Sequence, residues 1–252
     1  MRFFANLGFL WADLPLPEAI QAAMAAGFDA VECHWPYGVP ADAVRAALDA
    51  SGLKMLGLNT RRGNVAAGEM GLAALPGREV EARAGIQEAV RYASAIGAAN
   101  VHVMAGRAEG AEAGAVFLEN LRFACAEAAR AGLVILIEPL NLRDAPGYFL
   151  RDTVQAAAVI KAVGAQNLKL MFDCYHVELT EGDVVQRLEN LLPIVGHIQF
   201  AGVPDRGPPD RGDLDYDRVF RAIEKMEFDA PLGAEYKPGG PTEDTLGWLH
   251  AR

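Results

Sequence analysis

Eight short apolar runs recur along the chain, with segments of helical periodicity between them, and this alternation restricts the fold more than any other feature. The runs are RFFAN (2–6), AVECHW (30–35), KMLGLNT (54–60), NVHVMAG (100–106), LVILIEP (133–139), LKLMFD (168–173), GHIQFAG (196–202) and LGAEYK (232–237). Four of the Ala-rich segments between them, 17–27, 41–52, 78–97 and 115–132, carry apolar residues at helical spacing and close on Gly27, Gly52, Gly97 and Gly132. Glycine at such a position is expected to take the left-handed conformation that caps a helix. Near-continuous apolar strands are covered on both faces, as a parallel sheet requires. Eight β-α units in 252 residues therefore predict an α/β fold, a single (β/α)8 TIM barrel spanning 1–252 as one domain; such barrels run to about 250 residues. The doubly wound open sheet is the competing arrangement, but no GxGxxG follows the first strand and no shift in composition divides the chain.

In a parallel barrel all strand C-termini open at one mouth. Three of the runs end there on an acid: Glu138 in LIEPLN, Asp173 in LMFDCYH and Glu235 in LGAEYKP. Strand seven adds His197 and Gln199, two apart and so on one side, and strand eight adds Lys237, two beyond Glu235 and nearer solvent. Taken singly, a strand-end acid has a structural explanation, and Asp173 is suited to capping the turn DCYH. Polar groups closing strands five to eight in succession are hard to obtain from capping alone. Acids converging in a confined site raise one another's pKa unless a cation neutralises them. A divalent ion meets that need, with Glu138, Asp173, Gln199 (through its amide oxygen) and Glu235 as ligands. An oxygen-rich set of this kind favours Mg2+ or Mn2+ over Zn2+.

Around this set, His176 lies three residues beyond Asp173 and is a candidate hydrogen-bond donor to a substrate, while His34, beside Glu32, is a rim residue facing the pocket. His102 is mid-strand and reads as a core histidine. Two segments, 61–77 and 203–216, exceed what a connector needs and follow strand C-termini, where such barrels place their active sites. The second carries Arg206 and Arg211, and an arginine over an acidic mouth can clamp a substrate carboxylate. Local cations matter because the chain has 33 acidic and 23 basic residues, a net charge of −10 against which an anionic substrate must be drawn in. The same balance, without a basic stripe, argues against nucleic acid as a partner. Cys33, Cys125 and Cys174 show no metal or redox spacing, and the sparse, odd set suits a reduced compartment. No run reaches the roughly 18 apolar residues of a membrane span, and no small-residue cleavage site follows the N-terminal apolar run. The expectation is a cytoplasmic enzyme without membrane contact, whose Ala-rich helices offer a surface for homo-oligomerisation.

The chain resembles the hydroxypyruvate isomerase family, within the xylose-isomerase-like TIM barrels. The resemblance runs nearly end to end, through RFFANLGFLW, GLAALPGRE (71–79), ENLRFA (119–124), LIEPLN, PGYFL (146–150), NLKLMFDCYH (167–176), GHIQFAGVPDRGPP (196–209) and GAEYKP (233–238). It implies an aldose–ketose type isomerisation of a small acid, hydroxypyruvate to tartronate semialdehyde, by proton transfer through a cis-enediolate at a divalent metal. It implies Glu138 and Glu235 as the catalytic proton donor and acceptor, His176 and Lys237 as substrate contacts, and Glu138, Asp173, Gln199 and Glu235 as metal positions. A carboxylate substrate would be held by Lys237 and Arg206. One stretch departs from the family pattern: LNTRRGN (58–64) stands where related chains carry a His-Asn motif, bringing Arg61 and Arg62 instead. A larger or differently charged acid, such as 2-oxo-tetronate, is the alternative substrate, and a ketose 3-epimerase the alternative activity.

Overall fold

In the computed structural model, which describes residues 1–250, nine β-segments form one sheet whose strand pairings are all parallel. They are β1 (Phe3–Asn6), β2 (Ala30–Glu32), β3 (Lys54–Met55), β4 (Gly57–Asn59), β5 (Asn100–His102), β6 (Val134–Ile137), β7 (Leu168–Asp173), β8 (Val195–Phe200) and β9 (Leu232–Ala234). Only Leu56 separates β3 from β4, so they are halves of one strand. The first half pairs with β2 and the second with β5, which joins the two ends of the sheet into a closed barrel of eight strands.

Around the barrel run α1 (Leu16–Ala25), α2 (Ala41–Ser51), α3 (Glu79–Ile96), α4 (Gly110–Ala129), α5 (Thr153–Val163), α6 (Cys174–Thr180), α7 (Val184–Leu191), α8 (Tyr216–Lys225) and α9 (Gly247–His250). Their apolar stripes decide how they lie: α3 buries Ala82, Ile86, Ala89, Val90, Ala93 and Ile96, residues three or four apart and hence on one face. Gly27, Gly52, Gly97 and Gly132 all have positive φ, between 68° and 91°, as expected of helix-closing glycines. Asp152 and Asp215 cap α5 and α8, their carboxylates accepting from the N–H groups of Gln155 and Arg218 at 2.7 and 3.0 Å. None of the described helices is long and apolar enough to cross a membrane.

Alternation along the strands sorts side chains between the barrel interior and the helix layer. On β8, Ile198 and Phe200 pack in the apolar core, whereas His197 and Gln199 turn to the other side and meet polar partners. Outside the barrel, Phe3, Phe200, Phe220 and Trp248 meet edge to face at centroid distances of 5.0–5.9 Å and fasten α8 and α9 to β1 and β8. On β1 the neighbouring Phe4 is fully buried, and its ring lies 4.8 Å from that of His197. Gly233 makes room for that ring, since a Cβ there would lie 2.1 Å from Phe4 Cζ. Gly233→Ala is therefore expected to lower stability by about 1–3 kcal/mol through overpacking, read as a reduced urea midpoint. An unchanged midpoint would show that Phe4 has room to move.

Six strands stop earlier than their apolar runs, at Glu32, Asn59, His102, Ile137, Phe200 and Ala234, so Glu138 and Glu235 each sit one residue past the paired part of their strand, where the chain turns out of the sheet. The segment DCYH is not a free turn but the start of α6, capped by Asp173. The long loops are partly organised: 61–77 contains a 3-10 turn (Val65–Ala67) and a bridge from Gly71 to Ala105, and 203–216 folds back through a bridge between Gly202 and Gly207.

Candidate active site

Glu138, Asp173, Gln199 and Glu235 all reach the C-terminal mouth of the barrel, and all are buried. Asp173 does two jobs at once. Its Oδ1 accepts the Tyr175 N–H at 2.9 Å and caps α6, while Oδ2 lies 3.5 Å from Arg206 Nη2 and 3.6 Å from His176 Nε2. Arg206 Nη2 also lies 2.5 Å from Glu235 Oε2, so one guanidinium nitrogen bridges the acids of β7 and of the β9 exit. The Arg206 side chain is nearly enclosed, with its Cζ 4.8 Å from the Phe9 ring and 5.1 Å from the Tyr175 ring. Its backbone adopts φ 56°, a left-handed conformation that a non-glycine residue takes at some cost, and its carbonyl accepts the Lys237 N–H at 2.7 Å. The loop of 203–216 is thereby tied to the end of β9 with Arg206 turned inward.

Glu235 is fully engaged. Its Oε1 meets His34 Nε2 at 3.0 Å and accepts from Asn6 Nδ2 at 3.0 Å, while Oε2 faces Arg206. Burial would raise its pKa, but Arg206 and the hydrogen bond from His34 outweigh that and bring it down to about 2. Glu138 is the opposite case. Burial, then the charges of Glu235 and Asp173, push it well above the usual carboxylate range, and its Oε1 has no hydrogen-bond partner among the described residues. Asp173 rises to about 7, burial prevailing over the pull of Arg206. The two glutamates thus border the same aspartate, on either side of it, in opposite protonation tendencies.

Two histidines line Glu138: His176 Nε2 at 3.8 Å from Oε1 and His102 Nδ1 at 3.7 Å from Oε2. Burial lowers the pKa of each to about 3, so both rings are neutral near pH 7. His176 Nδ1 accepts the backbone N–H of Asn141 at 3.1 Å, which leaves the ring proton on Nε2, aimed at the acids. His102, expected to be a satisfied core residue, instead ends β5 at the site with Nε2 unpartnered among the described residues. Lys237 stays outside: it is exposed, and its backbone N–H rather than its side chain ties it to the loop of Arg206. Arg61 pairs with Glu88 at 2.6 Å over the Tyr37 ring, while Arg62 stacks on Trp35 at 3.7 Å with no carboxylate within ion-pair distance among the described residues. His34 lies next to Trp35, so this stack forms the rim on the Glu235 side. Below it sit Asn6 and Glu32, which end β1 and β2 as the acids end later strands. Asn6 went unnoticed in the sequence because an amide closing a short strand carries little weight by itself.

Glu138, Asp173 and His176 offer ligating atoms that all lie within 4.8 Å of one another, a buried group that could bind a metal. The oxygens fit such an ion well: Glu138 Oε1 and Gln199 Oε1 are buried without partners among the described residues, and Gln199 pairs in register with Asp173. His176 would ligate only after giving up its Nε2 proton, so donation to a bound substrate suits its present tautomer better. If the site takes a divalent cation, Mn2+ at a hundred times its dissociation constant is expected to stabilise the fold by about 2.7 kcal/mol. A thermal melt with and without Mn2+ measures this, and EDTA should reverse the shift.

Comparison with known proteins agrees with this geometry. Residues 20–252 match the family described as xylose isomerase-like TIM barrel. A Cupriavidus necator protein named 2-oxo-tetronate isomerase is 46% identical over 98% of this chain and 97% of its own length. The chain belongs to the hydroxypyruvate and 2-oxo-tetronate isomerase family. It is an isomerase of that family, built on the parallel barrel its sequence predicts. A mouse relative named putative hydroxypyruvate isomerase is 42% identical over all of this chain and 95% of its own. A Brucella melitensis crystal structure, titled as an AP endonuclease of family 2, superposes with a TM-score of 0.96 at 36% identity, covering 100% of this chain and 99% of that one. In this family member the acids of three strands, the inward Arg206 and the two histidines beside Glu138 meet at one polar mouth.

Proposed function

We propose that the protein moves a carbonyl between adjacent carbons of a short 2-oxo acid, with 2-oxo-tetronate as its substrate. The observation that carries the reading is the contrast between Glu235, held by Arg206, His34 and Asn6, and Glu138, whose buried Oε1 meets no hydrogen-bond partner among the described residues, a contrast that pulls their pKa values in opposite directions. Paired carboxyl groups whose surroundings push their pKa values apart are suited to act as base and acid. Glu235, held as the carboxylate, takes the proton from the hydroxyl-bearing carbon beside the carbonyl. The electron pair moves into the new carbon–carbon double bond and onto the carbonyl oxygen, giving an enediolate. Glu138 returns a proton to the former carbonyl carbon, and the hydroxyl proton passes to the new alcohol oxygen as the second carbonyl forms. His176 Nε2–H and Arg206 face the developing negative oxygens. A divalent cation, when held by Asp173, Gln199 and one oxygen of Glu138, supplies polarisation of the substrate carbonyl.

The four-carbon acid is favoured by the 46% identical relative of that name and by the Arg62 guanidinium at the rim, which meets no carboxylate among the described residues and lies where the sequence departs from the hydroxypyruvate isomerase pattern. Hydroxypyruvate is the second reading, supported by the name of the 42% identical mouse relative. A nuclease reading gains nothing from this mouth, which is acidic in a chain of net charge −10. The deciding experiment measures kcat/KM on 2-oxo-tetronate, hydroxypyruvate and neutral ketoses, using substrate deuterated at the hydroxyl-bearing carbon. Preference for the four-carbon acid with label lost to solvent supports the proposal. Retained label indicates a hydride shift, and turnover of ketoses alone would overturn the acid-isomerase reading.

A further inference from the structure

Three N–H donors converge on Glu32, a buried carboxylate that takes no part in the proton transfer described above. Asn6 Nδ2 reaches Oε1 at 2.7 Å, Gln199 Nε2 reaches the same oxygen at 2.6 Å, and His197 Nε2 meets Oε2 at 2.8 Å. A carboxylate only accepts, so each partner must turn a donor toward it. For Gln199 this fixes the amide: with nitrogen against Glu32, the oxygen must point the other way. That oxygen is buried and has no partner among the described residues. The in-register pairing of Gln199 with Asp173 puts both side chains on the interior side of the barrel. The same logic holds for Asn6, whose amide nitrogen also reaches Glu235 Oε1 at 3.0 Å while its oxygen accepts the Gly8 N–H at 2.8 Å.

We propose that Glu32 is a positioning residue: it sets the polarity of the Gln199 amide, so that an oxygen rather than an NH2 group faces Asp173 and a divalent cation there, and it holds Asn6 against Glu235. The inference rests on the reading of Gln199 as a cation ligand but not on the identity of the substrate. A carboxylate kept only to fill a polar gap would leave the amide direction immaterial. In Glu32→Gln, by contrast, the new amide offers one oxygen to three donors, and its NH2 must find an acceptor. Where that NH2 replaces the oxygen that Gln199 now meets, the Gln199 amide can accept it only by turning its oxygen toward residue 32, which presents NH2 to the cation.

The test is Mn2+ binding, followed by the paramagnetic signal of free Mn2+, in four proteins: wild type, Glu32→Gln, Gln199→Glu and the double variant Glu32→Gln/Gln199→Glu. Loss of an outer partner of this kind is expected to weaken binding about 10- to 100-fold, with circular dichroism unchanged. The double variant exchanges carboxylate and amide, restores a donor–acceptor match and again turns an oxygen to the mouth, so it should recover at least tenfold of the loss. Gln199→Glu alone sets two carboxylates against each other and should bind more weakly than the double variant. That comparison still decides the matter if Glu32→Gln fails to fold. Wild-type Mn2+ affinity in Glu32→Gln, a double variant no better than either single one, or no saturable Mn2+ binding by the wild type overturns the proposal. Because the readout is binding, it stands apart from the substrate panel: an enzyme inactive on every acid tried can still show the pattern.

Discussion

Glu235→Gln is expected to lower kcat/KM for the isomerisation by about 10²- to 10⁴-fold, the usual contribution of a positioned acid–base group. The amide is nearly isosteric, but it cannot take a proton at neutral pH, and it cannot accept from Arg206, His34 and Asn6 together as the carboxylate does. Glu138→Gln is expected to cost a similar factor, with a different effect on stability. The folded-state pKa of Glu138 lies above its unfolded value, so its ionisation is penalised in the folded protein, and stability fully present below the unfolded value is lost as pH rises from there through the folded one. Removing the ionisable group removes that penalty, and the Glu138→Gln protein should melt at a higher temperature than wild type at pH 7 while being nearly inactive. Steady-state kinetics beside thermal melts check both statements. Turnover at the wild-type rate in either variant excludes the acid–base pair.

Arg206→Met should have the largest effect on folding of any change in the mouth. Its guanidinium is only 12% exposed and lies against Glu235 and Asp173 at 2.5 and 3.5 Å. Breaking a buried pair by removing one partner leaves an uncompensated charge and typically costs roughly 3–5 kcal/mol. The cost should depend on pH in a stated direction. In the wild type, Glu235 is brought down to about 2, so it contributes stability present above its unfolded value and lost as pH falls through the folded one. Without Arg206, burial dominates and the same carboxyl is driven up, so it opposes folding above its unfolded value and ceases to do so once protonated. The gap between wild type and variant in denaturant midpoints should therefore be widest at neutral pH and narrow toward pH 4. A gap independent of pH would show that Arg206 acts through packing against Phe9 and Tyr175 rather than through charge.

Much of the site was legible because strand-end position is a one-dimensional property. Glu138, Asp173, Gln199 and Glu235 each close a recognisable apolar run, and a parallel barrel sends all such ends to one mouth. Arg206 was legible as a cation in a long loop after a strand, though not its direction, which depends on a left-handed backbone at that residue. His102 was misjudged because β5 pairs only to His102, three residues in, so a histidine placed by its run in mid-strand is in fact at the strand end. Lys237 illustrates the converse: two-residue alternation put it on the side of Glu235, but β9 pairing ends at Ala234 and the rule lapses beyond it. Asp173 caps α6 with one oxygen and turns the other toward Arg206 and His176, in a group that could hold a metal, because a carboxylate has two oxygens.

Hydrophobic period and local backbone preference are enough to yield the eightfold alternation, the helix stops and the acids that end the strands. Which atoms those acids face depends on how the closed barrel packs. Closure of the sheet through residues 54–59 brings Glu32 beside Gln199, 167 positions away, and the 203–216 loop places one guanidinium between two carboxylates. The opposite pulls on the pKa values of Glu138 and Glu235 come from burial and from neighbours remote in the chain, quantities that no local pattern encodes.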